Sequence, residues 1–115
     1  MSIQVFGTRK CKRTRAAERF FSERRIRFQF VDLGEKSLSP GEFESVKSAV
    51  GLENMIDTQC KEYERLGLRQ LSFDIEEKLR DNPRLLMTPV VRNGAQATVG
   101  NAPDVWKEWL KLMPG

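Results

Sequence analysis

Residues 2–17 read Ser2-Ile3-Gln4-Val5-Phe6-Gly7-Thr8-Arg9-Lys10-Cys11-Lys12-Arg13-Thr14-Arg15-Ala16-Ala17. Ser2 to Phe6 is a short β-prone run, and Gly7-Thr8 is a loop signal that ends it. From Lys12 the period changes. Ala16, Ala17, Phe20 and Phe21 recur at i, i+1, i+4 and i+5, with arginines and glutamates on the other face, which predicts an amphipathic helix. Arg25 to Leu33 then alternates, placing Ile26, Phe28 and Phe30 on one side of a half-buried strand. Strand, helix and strand joined at this length make a right-handed parallel unit.

Outward from that unit the chain turns helical. Ser39-Pro40-Gly41-Glu42 is a capping box with proline at the first helical position, opening a helix through Phe43, Val46, Lys47 and Val50 that Gly51 stops. Ile56, Cys60 and Tyr63 fit one face of a short helix ending near Gly67. Leu71, Ile75 and Leu79 fit a third, closed by Asn82-Pro83. After Pro89 the β period returns in Val90-Val91-Arg92, an Asn93-Gly94 turn and Ala95 to Val99, a hairpin signal. A last helix carries Val105, Trp106, Trp109, Leu110 and Met113 on one apolar stripe. The expected fold class is therefore α/β: β-α-β, a helical insertion over about 36–84, then β-β-α. No repeat, low-complexity tract or linker divides residues 1–115, so one domain is expected.

Composition excludes several function classes. The 115 residues are 39% hydrophobic and 31% charged, which is globular rather than disordered. The longest apolar runs are three residues, as in Leu85-Leu86-Met87, and the N-terminus lacks a signal-peptide pattern. A cytoplasmic chain without membrane association is the expectation. Histidine is absent, so histidine ligands, histidine bases and every Ser-His or Cys-His pair are excluded. Two cysteines 49 positions apart cannot build a four-ligand zinc site, and no metal or bound cofactor is expected. Charge is uneven: residues 9–27 hold nine basic groups against Glu18 and Glu23, a local +7, while the rest of the chain sums to −3. Such a block is either a solvated helix face or an attractor of anions. Direct nucleic-acid binding is not expected, because no aromatic base-stackers interleave with it.

Three features carry chemistry. Cys11 stands where the first helix begins, and free backbone N–H groups there, together with Lys10, Lys12 and Arg15, favour a thiolate, the competent nucleophile. Cys60 falls on the apolar Ile56-Tyr63 stripe and reads as a core residue. Thr88-Pro89 is one more X-Pro bond, and only about 5–6% of those are cis, so the local reading is trans.

Assembled, these residues resemble the arsenate reductase (ArsC/Spx) family of thioredoxin-fold proteins. The resemblance spans residues 3–110 and rests on Cys11-Lys-Arg-Thr-Arg15-Ala-Ala, on Gly51 through Gly67, on Asn82-Pro83 through Pro89-Val-Val, and on Val99-Gly100. It implies a thioredoxin-like, four-stranded mixed sheet with the helical insertion between the second and third strands. It further implies that Cys11 is the nucleophile, that Arg15 belongs to its loop, and that Pro89 is a cis-proline facing it. The arginines that hold the oxyanion in true arsenate reductases correspond here to Gln59, Thr88 and Asn101, all neutral, and the second thiol of the Spx Cys-x-x-Cys pair corresponds to Thr14. Those four departures argue against arsenate reduction and against that dithiol switch.

The expectation is thus a monomeric thiol oxidoreductase in which Cys11 forms a mixed disulfide with glutathione or a protein disulfide. Thr88 and Pro89 would bind the incoming strand. Glutathione would be the co-substrate, and Cys60 the alternative resolving thiol if it reaches Cys11. The competing expectation is a non-enzymatic, Spx-like regulator that binds RNA polymerase through the basic helix and the insertion.

Overall fold

Ile3–Gly7 forms β1, the strand around which the rest is built. The computed structural model describes residues 3–112, so Ser2 and Met113 of the elements read above lie outside the described residues. β1 pairs in parallel with β2 (Phe28–Asp32) and antiparallel with β3 (Val90–Asn93), and β3 pairs antiparallel with β4 (Gln96–Val99). The sheet is four-stranded and mixed, in the order β2-β1-β3-β4. Helix α1 (Lys12–Glu23) makes the β1–β2 crossover, and α6 (Pro103–Lys111) follows β4. Between β2 and β3 run α2 (Pro40–Val50), α3 (Leu52–Met55), α4 (Lys61–Arg65) and α5 (Ile75–Asp81), with 3-10 turns at Leu68–Gln70 and Pro83–Leu85. This is the thioredoxin-like α/β fold.

A central strand covered on both faces needs apolar side chains pointing both ways. Ile3 and Val5 join Val91, Ala17, Phe20, Phe21, Trp106 and Trp109 in a core under α1 and α6. Phe6 and Val90 point the other way, into a second core with Phe43, Val46, Met55, Leu79, Leu85 and Leu86 of the insertion. Trp106 stays buried because its indole N–H donates to Thr98 Oγ1 at 2.8 Å.

Local chemistry shifts four boundaries. β2 starts at Phe28, not Arg25, because Arg25 adopts φ +58° and the N–H groups of Arg25 and Ile26 turn back to the carbonyls of Ser22 and Phe21. The hairpin loop is Gly94-Ala95, one residue later than expected: Gly94 takes φ +61° while Asn93 pairs with Gln96, the pattern of a type II′ turn. The helix expected from Ile56 is broken. Ile56 bridges to Leu86, the Asp57 carboxylate accepts the Gln59 N–H at 2.9 Å, and Cys60 becomes the cap of α4. Leu71 lies outside α5 and is 57% exposed, because Asp74 caps the helix through the Glu77 N–H.

The end of β1 is the tightest point below the site. A Cβ at Gly7 would run into Oγ1, Cγ2 and Cβ of Thr14, a fully buried residue in the first turn of α1. Gly7→Ala should therefore cost about 1–3 kcal/mol of stability, the range for overpacking, measured by urea denaturation. Combining it with Thr14→Ala should recover part of that loss, since the Thr14 Cβ itself would remain 2.9 Å away; no recovery would place the strain elsewhere.

Candidate active site

The chain leaves β1 at Gly7 and re-enters regular structure at Lys12, with Cys11 as the N-cap of α1 (φ −77°, ψ 119°). A cap side chain usually accepts a hydrogen bond from its own helix, but Cys11 shows no side-chain cap bond. Its sulfur instead lies 3.1 Å from Thr88 Oγ1, across 77 positions of sequence. Burial pushes the Cys11 thiol up. The Thr14 and Thr88 hydroxyls outweigh that, helped by the Thr14 and Arg13 backbone N–H groups, which lie near the sulfur without completing a cap bond, and leave it below its ordinary value. Thr14 Oγ1 is buried and has no hydrogen-bond partner among the described residues, so it is a donor free to turn toward the Cys11 sulfur.

The expected cationic stabilisers sit differently. Lys10 lines the Cys11 cleft, whereas Lys12 and Arg15 are exposed and do not line it. None of the three is among the groups that lower the thiol, which short-range donors do. All three side chains are exposed, so their charges act on the sulfur through water, where screening is strong.

The cation that does enter is Arg13. Its Nε donates to the Thr88 carbonyl at 2.9 Å and its Nη2 to Asp57 Oδ2 at 3.1 Å. Asp57 is 5% exposed, and its other carboxylate oxygen accepts the Gln59 N–H. Sequence reasoning missed both residues. Arg13 is one of nine similar cations in its block, but Asp57, a lone carboxylate following Met55-Ile56, was a usable signal for a buried, paired acid.

Thr88–Pro89 is cis, contrary to the local reading and in line with the resemblance. Long-range backbone bonds frame it: Met87 N–H to Met55 O at 2.7 Å and Gly100 N–H to Pro89 O at 2.9 Å. Cys60 is half-buried and packs on the insertion core, and its thiol donates to the Asp57 carbonyl at 3.1 Å. It also lines the same 700 Å³ cleft as Cys11, and both cysteines are free thiols. Gln59 and Asn101 are not brought to that cleft. Gln59 is exposed, and Asn101 lines a neighbouring hollow on the far side of Arg13. Of the expected site residues the structure therefore gathers Cys11, Lys10, Thr88 and Cys60 around one cleft, sets Pro89 beneath it, and leaves Lys12, Arg15, Gln59 and Asn101 outside its lining.

A family model described as the ArsC family matches residues 6–109. A global transcriptional regulator, Spx 2 from Oceanobacillus iheyensis, is 23% identical over 96% of this chain and 84% of its own length. An arsenate reductase from Neisseria meningitidis is 29% identical over 85% of this chain and 89% of its own. Among solved structures, an arsenate reductase from Vibrio cholerae superposes with a TM-score of 0.78 at 22% identity, covering 94% and 97% of the two chains.

Alkylation of Cys11 as a function of pH should show a midpoint below the free-thiol value of about 8.5. The sign follows from the donors: they stabilise the charged form, so reactive thiolate persists as pH falls below that value. Thr88→Val and Thr14→Val should each move the midpoint back up. A wild-type midpoint at or above the free value would contradict the reading of the site.

Proposed function

Because the chain belongs to the ArsC family, we propose that it is a thiol-dependent oxidoreductase working through the single nucleophile Cys11. The observation that carries the proposal is the Cys11 sulfur at the start of α1, 3.1 Å from the Thr88 hydroxyl and facing an open cleft. In the proposed step the Cys11 thiolate attacks one sulfur of a disulfide. The S–S bond breaks, the other sulfur leaves as a thiolate with the bonding electrons, and Cys11 is left in a mixed disulfide. A second thiol, for which glutathione is our candidate, then attacks the mixed disulfide and releases Cys11. Cys60 is assigned a structural role here, since its thiol is engaged with the Asp57 carbonyl and packs on the core. A reducing compartment such as the cytoplasm suits two free cysteines, and no helix among the described residues is long and apolar enough to cross a membrane.

Arsenate is not the proposed substrate. Gln59, Thr88 and Asn101 are neutral, and each missing charge-assisted bond to a dianion forgoes about 1.5–3 kcal/mol. Glutathione-dependent assays should show no robust arsenate turnover by the wild type, and Thr88→Arg, at the one of the three positions that lines the cleft, should create or strengthen arsenate binding.

A second reading, a regulator that docks on RNA polymerase, draws on the basic face of α1. Lys12, Arg15 and Arg19 are exposed and have no acidic partner among the described residues. Cys11→Ser separates the two: it should abolish disulfide exchange and function together, whereas full function in that variant would favour the docking reading. After mild peroxide with glutathione, mass spectrometry should find glutathione on Cys11. An internal Cys11–Cys60 bridge would instead make Cys60 the resolving thiol.

A further inference from the structure

We infer that Arg13, held in place by Asp57, is the specificity-determining residue of the Cys11 cleft and selects disulfides that carry a carboxylate near the reacting sulfur. The inference rests on the Cys11 chemistry proposed above and adds a substrate preference to it.

Arg13 differs from every other cation at the cleft in being fixed. Arg9 is held at the rim, 3.8 Å from Asp32 and over the Phe30 ring. Lys10, Lys61 and Arg84 are exposed, with no carboxylate in ion-pair contact among the described residues. Arg13 alone is tied on two sides, to the Thr88 carbonyl and to the buried Asp57 carboxylate. A guanidinium has five N–H donors. Two are used here, and the side chain is 45% exposed and borders the cleft. The remaining donors are therefore directed and wet, on the residue whose Thr88 partner also contacts the sulfur. A carboxylate held there lies one residue away from the reaction.

Two further features point the same way. Asp57 balances Arg13 and Asp32 balances Arg9, while Lys10, Lys61 and Arg84 outnumber the one remaining carboxylate of the lining, Glu62, which leaves a net positive field that draws anions in. Arg13 also occupies the Thr88 carbonyl, an acceptor that an extended peptide would need in order to pair with this segment as an added strand. The cleft thus offers peptide backbone a partly occupied acceptor and offers an anion free donors, a combination that suits a small acidic disulfide.

The test is single-turnover formation of the Cys11 mixed disulfide, followed by intact mass and peptide mapping. Three symmetric probes serve: dithiodipropionate (anionic), hydroxyethyl disulfide (neutral) and cystamine (cationic), each normalised to its reaction with a free small thiol. The wild type should favour the anionic over the neutral probe by about tenfold, the value of one charge-assisted bond, and disfavour cystamine. Arg13→Ala should bring the anionic-to-neutral ratio close to one even if both rates fall, and Arg13→Lys should keep part of the preference without the fork geometry. Lys107→Ala, an exposed cation outside the cleft lining, should change the ratio less than twofold. An unchanged ratio in Arg13→Ala, or an equal loss in Lys107→Ala, would overturn the role of Arg13 while leaving Cys11 chemistry intact. Failure of Cys11 to react with any probe would overturn the oxidoreductase reading itself, and this inference with it.

Discussion

Among the described residues, the Arg13 guanidinium is the one side chain at the cleft that bonds two distant segments at once. It belongs to the first turn of α1, bonds the carbonyl of Thr88 just before β3, and bonds Asp57 in the loop between α3 and α4. Thr88 in turn brings its hydroxyl to the Cys11 sulfur, and the Asp57 carbonyl accepts the Cys60 thiol. Both cysteines and the cis peptide are therefore tied, through one or two bonds, to the same ion pair. Asp57 is nearly buried, so its charge requires that partner. The pairing makes the arrangement directional rather than merely compact.

Beneath the ion pair, packing sets the level at which Cys11 sits. β1 is covered on both faces, and the two cores meet only through the sheet. Helix α1 must then come down close to the strand end, which Gly7 permits by offering Thr14 the space a side chain would fill. Thr14 is buried as a result, and its hydroxyl has no settled partner, which leaves it free to serve a thiolate at Cys11. The lowered thiol is a by-product of close helix–strand packing plus one tertiary contact from Thr88, not of the positive charge that dominates the sequence around it.

That positive charge has a different distribution of work. Arg9 pairs with Asp32, Arg13 with Asp57, and Arg24 stacks on Phe20 at 3.8 Å while donating to the Phe20 carbonyl. Other basic residues of the block project into solvent. Within a stretch that reads as one electrostatic feature, the fold singles out one arginine for the site and leaves others as a diffuse field whose effect is screened within about 10 Å at moderate salt.

The sequence by itself determined the order of elements, the capping of α2 by Ser39 and Glu42, and the position of Cys11 at the head of α1. These follow from periodicities of two and 3.6 and from local capping bonds, which act within a few residues. Tertiary structure alone decided the rest. Thr88 reaches Cys11 across 77 positions, Arg13 finds Asp57 across 44, and the Thr88–Pro89 bond is cis against its local preference. Cys60 leaves its apparent helical stripe because Asp57 captures the Gln59 N–H and breaks the helix there. Each of these depends on which distant group fills a donor or acceptor, and local periodicity cannot tell one arginine in a basic run from the next.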